Sequence, residues 1–108
     1  MVYEWDDDKS EANLRKHGVA FTEVERFDWA TSIEREDDRI DYGERRYVAL
    51  GFVERVLHVL VFMERGATIR VIGLRRASPA ERSAYVQETA RSRQRCSVGR
   101  GGVSRAFA

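Results

Sequence analysis

Cysteine is all but missing from this 108-residue chain. Cys96 stands alone, which excludes an internal disulfide and any metal site built on clustered thiolates, and fits a reducing compartment. No apolar run approaches the roughly 18 residues needed to span a bilayer. The acidic opening MVYEWDDDKSE lacks an apolar signal region, which points away from secretion and toward the cytoplasm. Histidine occurs only as His17 and His58, on different elements and without HxxxH or Cys/His spacing, so no metal site is expected. The glycines never fall into a GxxxxGK[ST] or a strand-linked GxGxxG pattern, so no nucleotide-binding loop and no cofactor is implied. No internal repeat is visible. The length suits one domain with a single core.

What is present is charge, and it is divided. The net charge is only +1, yet residues 1–44 carry 14 acidic against 6 basic side chains, and residues 45–108 carry 4 against 13. Every cation of the second half is arginine. Guanidinium groups bind phosphate and carboxylate oxygens bidentately, so this half suits a phosphate-bearing or acidic partner. The alternative is that the two halves neutralise one another within the fold.

The most apolar stretch is Leu57 to Arg76, LHVLVFMERGATIRVIGLRR. Two runs rich in β-branched and aromatic residues flank a Glu64-Arg65-Gly66-Ala67 connection, which predicts a β-hairpin. Leu57, Val59 and Val61 alternate with Leu60 and Phe62, and Ile69 and Val71 with Ile72 and Leu74, so both strands are apolar on both faces and belong in the middle of a sheet. Apart from Arg70, charge gathers at the hairpin's ends.

Around this core the chain reads in order. Val2–Trp5 alternates as an edge strand. Asp6 predicts an N-cap, with Asp7 and Asp8 in the first turn and Lys16, His17 and Gly18 closing the helix. Phe21, Val24 and Phe27 predict a second short helix, with Thr22 and Glu25 as its capping box. Residues 32–43 read as a charged, irregular loop with room for one short strand near Ile33. Residues 45–53 form the next strand, turning at Glu54-Arg55 to complete an antiparallel meander. Ser78-Pro79-Ala80-Glu81 starts a last helix, with Ser as cap and Pro at the first position. From about Ser92 the composition turns to Ser, Arg and Gly. The expected architecture is therefore α+β: two N-terminal helices, an antiparallel β-meander core and a C-terminal helix. A single domain spans residues 1–91, and 92–108 form a basic flexible tail.

The groups able to do chemistry are few. Lys16 and His17 end the first helix, Arg65 sits at the hairpin turn, Arg75 and Arg76 leave its last strand, and Tyr85 lies in the final helix. Successive residues on a strand face opposite ways, so Arg75 and Arg76 do not share a pocket; one meets ligand and the other a carboxylate such as Glu81 or Glu44. Metal-free RNA cleavage needs a base for the 2′-hydroxyl, an acid for the 5′-oxygen and cations for the phosphorane, roles open to His, Lys, Glu and paired Arg. The plainer account makes His17 a helix-terminal cap and the arginines a solvated rim. His58, inside an apolar run, reads as a satisfied core residue.

The opening Glu4-Trp5-Asp6, Lys9, Asn13-Leu14-Arg15-Lys16-His17-Gly18-Val19 and Phe21 resembles that of the BrnT family of type II toxin–antitoxin toxins. Tyr42 to Tyr47, Phe62 to Arg65, Ile72 to Ala77, Glu81-Arg82 and Tyr85 also resemble that family, so the likeness runs over about residues 3–86. The resemblance implies a RelE-like toxin that cleaves RNA without metal and blocks translation. It also implies neutralisation by a BrnA-like ribbon-helix-helix antitoxin, with promoter DNA engaged only through the antitoxin complex. Carried onto this chain, it makes His17 a general acid or base, Arg65 and Arg75 phosphate clamps with Arg76 beside them, and Tyr85 a stacking or positioning group. Lys16, Arg45 and Arg46 would bind RNA. The sequence departs from the family pattern at Met63, where a small hydroxylated residue is common, and at Gly73-Leu74, in place of a Ser-Ala type pair. These departures leave a second possibility: a degenerate toxin that only binds antitoxin and acts as co-repressor. A free-standing RNA-binding module fits less well, because no exposed aromatic pair marks the sheet.

Overall fold

The computed structural model describes residues 2–37 and 45–99, with residues 92–99 described by backbone alone. The acidic loop beyond Asp37, Tyr42 to Glu44 and the end of the tail lie outside the described residues. The chain divides into two compact units, the first ending at Arg76.

The first unit is a five-stranded mixed sheet in the order β1-β5-β4-β3-β2. Its strands are β1 (Val2–Glu4), β2 (Ile33–Asp37), β3 (Arg46–Val53), β4 (Val56–Arg65) and β5 (Thr68–Arg76). The expected meander is present as β3, β4 and β5, and the sheet extends beyond it on both sides. On one side β2 pairs antiparallel with β3; on the other β1 runs parallel to β5. Both edges are charged or short, as free edges tend to be. Glu36 of β2 reaches Arg45 at 3.7 Å, and Glu4 of β1 reaches Arg70 at 3.2 Å and Arg65 at 3.8 Å.

The hairpin turn is tighter than the sequence suggested. Glu64 and Arg65 pair with Ile69 and Thr68, leaving only Gly66 and Ala67 unpaired, with Gly66 at φ 61°. The β3–β4 turn is equally short, and there Glu54 takes a left-handed φ of 58°. Within β4–β5 the register shifts between Val61 and Phe62. Val61 opposes Gly73 and Phe62 opposes Val71, so Ile72 is an extra residue on β5.

Helix α1 spans Asp7–His17. The Asp6 carboxylate accepts from the backbone N–H of Asp8 at 2.9 Å and of Lys9 at 3.4 Å. Gly18, at φ 75°, donates to the Leu14 carbonyl at 2.8 Å. These caps matter because none of the helix's residues is buried. The expected second helix is instead a single 3₁₀ segment, Phe21–Arg26, capped by Ala20 without a side-chain hydrogen bond. Its apolar residues recur every third position, the period at which 3₁₀ side chains align, so Phe21, Val24 and Phe27 all turn inward.

The core lies between this segment and one face of the sheet. Val19, Phe21, Val24 and Phe27 pack with Ala49, Val53, Leu60, Phe62, Ile69, Val71 and Leu74. Trp29 stands edge-on to Phe27 and Phe62, at 4.8 and 5.3 Å between ring centroids, and its indole N–H donates to the Tyr3 hydroxyl at 2.7 Å. Gly51 is required by this packing, since a Cβ there would lie 2.5 Å from the Phe27 ring.

The second unit contains α2 (Pro79–Gly99). Its start is the reciprocal capping box expected from the sequence. Glu81 N–H donates to Ser78 Oγ at 3.2 Å, and Ser78 N–H donates to Glu81 Oε1 at 2.8 Å. The helical backbone continues into the segment assigned from composition to a flexible tail. Among the described residues, no helix is long and apolar enough to cross a membrane.

Candidate functional site

A cleft of about 810 Å³ opens at the end of the first unit where α1 finishes and β5 leaves the sheet. Its walls are Leu14 and Gly18–Ala20 from the end of α1, Glu23 from the 3₁₀ segment, Val53–Val56 from the β3–β4 turn, and His58 and Arg76 from the sheet.

Asn13 fixes this corner. Its carboxamide nitrogen donates to the Val19 carbonyl at 2.7 Å and to the Leu74 carbonyl at 2.6 Å, tying the exit of α1 to β5 two residues before Arg76. The Ser10 hydroxyl accepts from Phe21 N–H at 3.1 Å and holds the start of the 3₁₀ segment. Gly18 then turns the chain past the cleft, and the cations Arg15, Lys16 and His17 occupy the last turn of α1, where the helix dipole favours them.

His58 sits directly across from Arg76 in the β4–β5 ladder and from Gly51 in the β3–β4 ladder. Leu60 and Leu74, two residues along, face the core, so His58 and Arg76 point to the same side. His58 is only 5% exposed, whereas Arg76 is exposed. The His58 Nδ1 lies 2.8 Å from the Val56 carbonyl oxygen. A carbonyl only accepts, so Nδ1 carries the proton of the neutral ring and Nε2 keeps its lone pair.

The residues singled out from the sequence fall into separate groups. Arg76 lines the cleft, next to the helix end that carries Lys16 and His17. Arg75 pairs with Val59 and faces the opposite side of the sheet, as the alternation of a strand demands; its Nη1 donates to the Arg76 carbonyl at 3.3 Å. Arg65 is at the other end of the hairpin, six residues along β4 from the partner of Arg75, or roughly 20 Å away. The two arginines therefore stand at opposite ends of the hairpin. Arg46 pairs with Met63, so it and Arg45 share the end of Arg65. Tyr85 belongs to α2, where its carbonyl accepts from the Thr89 hydroxyl at 2.9 Å. Glu44, named as a partner for an arginine, lies outside the described residues.

His58 was passed over as a core residue on sequence grounds. Counting back from a two-residue turn at Gly66-Ala67 would have placed it at the exit end of the hairpin, beside the terminal arginines. Burial, and then the neighbouring Glu64 charge, raise the Glu34 carboxyl above its ordinary value of 4.5. Among the described residues no three His, Cys, Asp or Glu side chains gather as a metal site would require.

Residues 5–81 fit the family described as the ribonuclease toxin, BrnT, of type II toxin–antitoxin systems. No curated protein matches the chain.

Proposed function

The chain belongs to the BrnT family of ribonuclease toxins of type II toxin–antitoxin systems, and from that premise we propose that it is a metal-independent endoribonuclease. It blocks translation in the cytoplasm by cutting RNA and is neutralised by a BrnA-like ribbon-helix-helix antitoxin. Promoter DNA is engaged only through the toxin–antitoxin complex. The toxin domain covers residues 1–91 on a RelE-like ribonuclease fold, and residues 92–108 are a basic extension.

The observation that carries this reading is the family match over residues 5–81, the span that holds Lys16, His17, Arg75 and Arg76. The chemistry agrees with it. A cleft with a cation on a rigid strand and acid–base groups close by suits phosphodiester cleavage, in which charge builds on the phosphorane. His17 serves as acid or base, Arg76 stabilises phosphate at the cleft end, Arg75 clamps phosphate from the opposite face of the sheet, and Tyr85 stacks on or positions a base. Lys16, Arg45, Arg46 and Arg65 hold the RNA backbone, the last three at the far end of the sheet.

The test is purified protein with single-stranded RNA in the presence of excess EDTA, beside Arg76→Ala, together with induction in a bacterial host. The expected result is cleavage and growth arrest with the parent, and a loss of about 10²-fold or more in the variant. Cleavage that vanishes with EDTA and returns with added metal would sink metal independence.

A second reading rests on one observation. Gly73 stands where the family pattern has a hydroxyl, yet a Cβ there would meet nothing closer than Val61 Cβ at 3.9 Å. Packing does not demand the glycine, which is consistent with a degenerate toxin acting as co-repressor. A folded protein that leaves RNA intact but tightens antitoxin binding to its promoter would support that reading.

A further inference from the structure

We infer that His58 is the general base of this ribonuclease site, taking the 2′-hydroxyl proton through Nε2 while Arg76 holds the phosphate. The inference rests on the endoribonuclease reading above.

A buried core histidine usually has both ring nitrogens satisfied. His58 has one. Nδ1 donates to the Val56 carbonyl, whereas Nε2 makes no hydrogen bond among the described residues. His58 is thus held to the backbone through Nδ1, which in the neutral ring leaves the lone pair on Nε2, and it lines the 810 Å³ cleft.

Its setting matches the substrate. Arg76 stands directly opposite on β5, at the usual cross-strand spacing of roughly 5 Å between Cβ atoms. Leu14 and Val56, 49% and 46% exposed, give the cleft apolar walls against which a ribose or base can lie. The other charged groups facing the cleft are Arg55, Glu54 and Glu23. A cation and a base on adjacent rigid strands, with no second function visible for either, are what an in-line attack by the 2′-oxygen needs.

In the step, the 2′-O–H proton passes to Nε2 and the oxygen's electron pair forms the new bond to phosphorus. The P–O5′ bond breaks and the 5′-oxygen takes a proton, from His17 in its acid role or from solvent water, leaving a 2′,3′-cyclic phosphate and a 5′-hydroxyl. His58 then returns its proton to solvent.

The deciding variant is His58→Asn, whose amide keeps a donor at the place of Nδ1 for the Val56 carbonyl and removes Nε2. On an RNA oligonucleotide, kcat should fall about 10²-fold or more, while binding of the matching 2′-deoxy oligonucleotide stays within twofold. Parent cleavage with His58→Asn retaining more than a third of kcat overturns the His58 role and leaves the ribonuclease reading intact. A folded parent that does not cut RNA removes that reading, and the role of His58 with it. Because a buried substitution can unfold the chain, nitrogen-15 spectra of the parent give an independent check. The neutral His58 ring should carry its proton on Nδ1, and its Nε2 signal should move on adding the 2′-deoxy oligonucleotide. A ring protonated at Nε2 instead would overturn the assignment.

Discussion

Asn13 and Leu74 lie 61 residues apart in sequence and are joined by a 2.6 Å hydrogen bond from the Asn13 carboxamide to the Leu74 carbonyl. The second hydrogen of the same nitrogen goes to Val19. One side chain therefore sets the spacing between the exposed helix α1 and the strand that delivers Arg76. Asn13→Ala leaves two part-buried carbonyls unpaired and is expected to lower unfolding free energy by about 1–3 kcal/mol. Urea denaturation measures it. Asn13→Asp, which sets a carboxylate against both carbonyls, should be worse; equal stability of the three proteins would show that α1 is held by its caps alone.

Gly51→Ala tests the packing of Phe27. The added carbon would meet the ring at 2.5 Å, and the expected loss is about 1–3 kcal/mol. Shortening the ring to Leu in the same chain should recover part of that loss. The two changes are then non-additive, as contacting residues are, and a thermal-melt double-mutant cycle reads the coupling.

Glu54 holds a left-handed backbone at the β3–β4 turn that asparagine adopts more readily. Its ion pair with Arg26, at 3.6 Å, is between exposed side chains and contributes little. Glu54→Asn should therefore stabilise the fold by roughly 0.5–1 kcal/mol, seen as a higher midpoint in urea.

Glu34 gives a pH signature. Its carboxyl is raised, first by burial and then by Glu64, so the folded state holds its proton at pH values where the unfolded chain has lost it. Stability from this group is complete below the ordinary value of 4.5 and declines as pH climbs through the raised folded value. Glu34→Gln should raise the melting temperature at neutral pH, with the advantage shrinking as pH is lowered toward 4.5. An advantage that is constant with pH would remove the protonation account.

Much of this was legible in the chain. The caps of α1 and the Ser78–Glu81 box could be read because capping is local chemistry with fixed spacing. The three central strands followed from runs too apolar to be anything but central. What escaped depends on distant partners. An edge strand at Val2–Trp5 and a short strand near Ile33 were legible, but not their partners: that β1 runs parallel to β5 and β2 pairs with β3 depends on residues far away in the chain. The spacing of Phe21, Val24 and Phe27 suited a 3₁₀ segment as well as an α-helix, and only the packing surface decided between them. The site was half legible. The terminal arginines were evident, whereas the place of His58 opposite Arg76 at the cleft depends on strand register, and no local pattern states that.

The bulge at Ile72 has a consequence for the arginines themselves. Ile69 and Val71 face the core, so in an unbroken strand the odd-numbered residues would go on doing so and Arg75 would be delivered to the cleft. The extra residue inverts the parity, and the even-numbered Leu74 and Arg76 take the inner side instead. Two adjacent and chemically identical side chains thus face opposite sides of the sheet by a count of residues, and the same strand paired without the bulge would exchange them without altering either one.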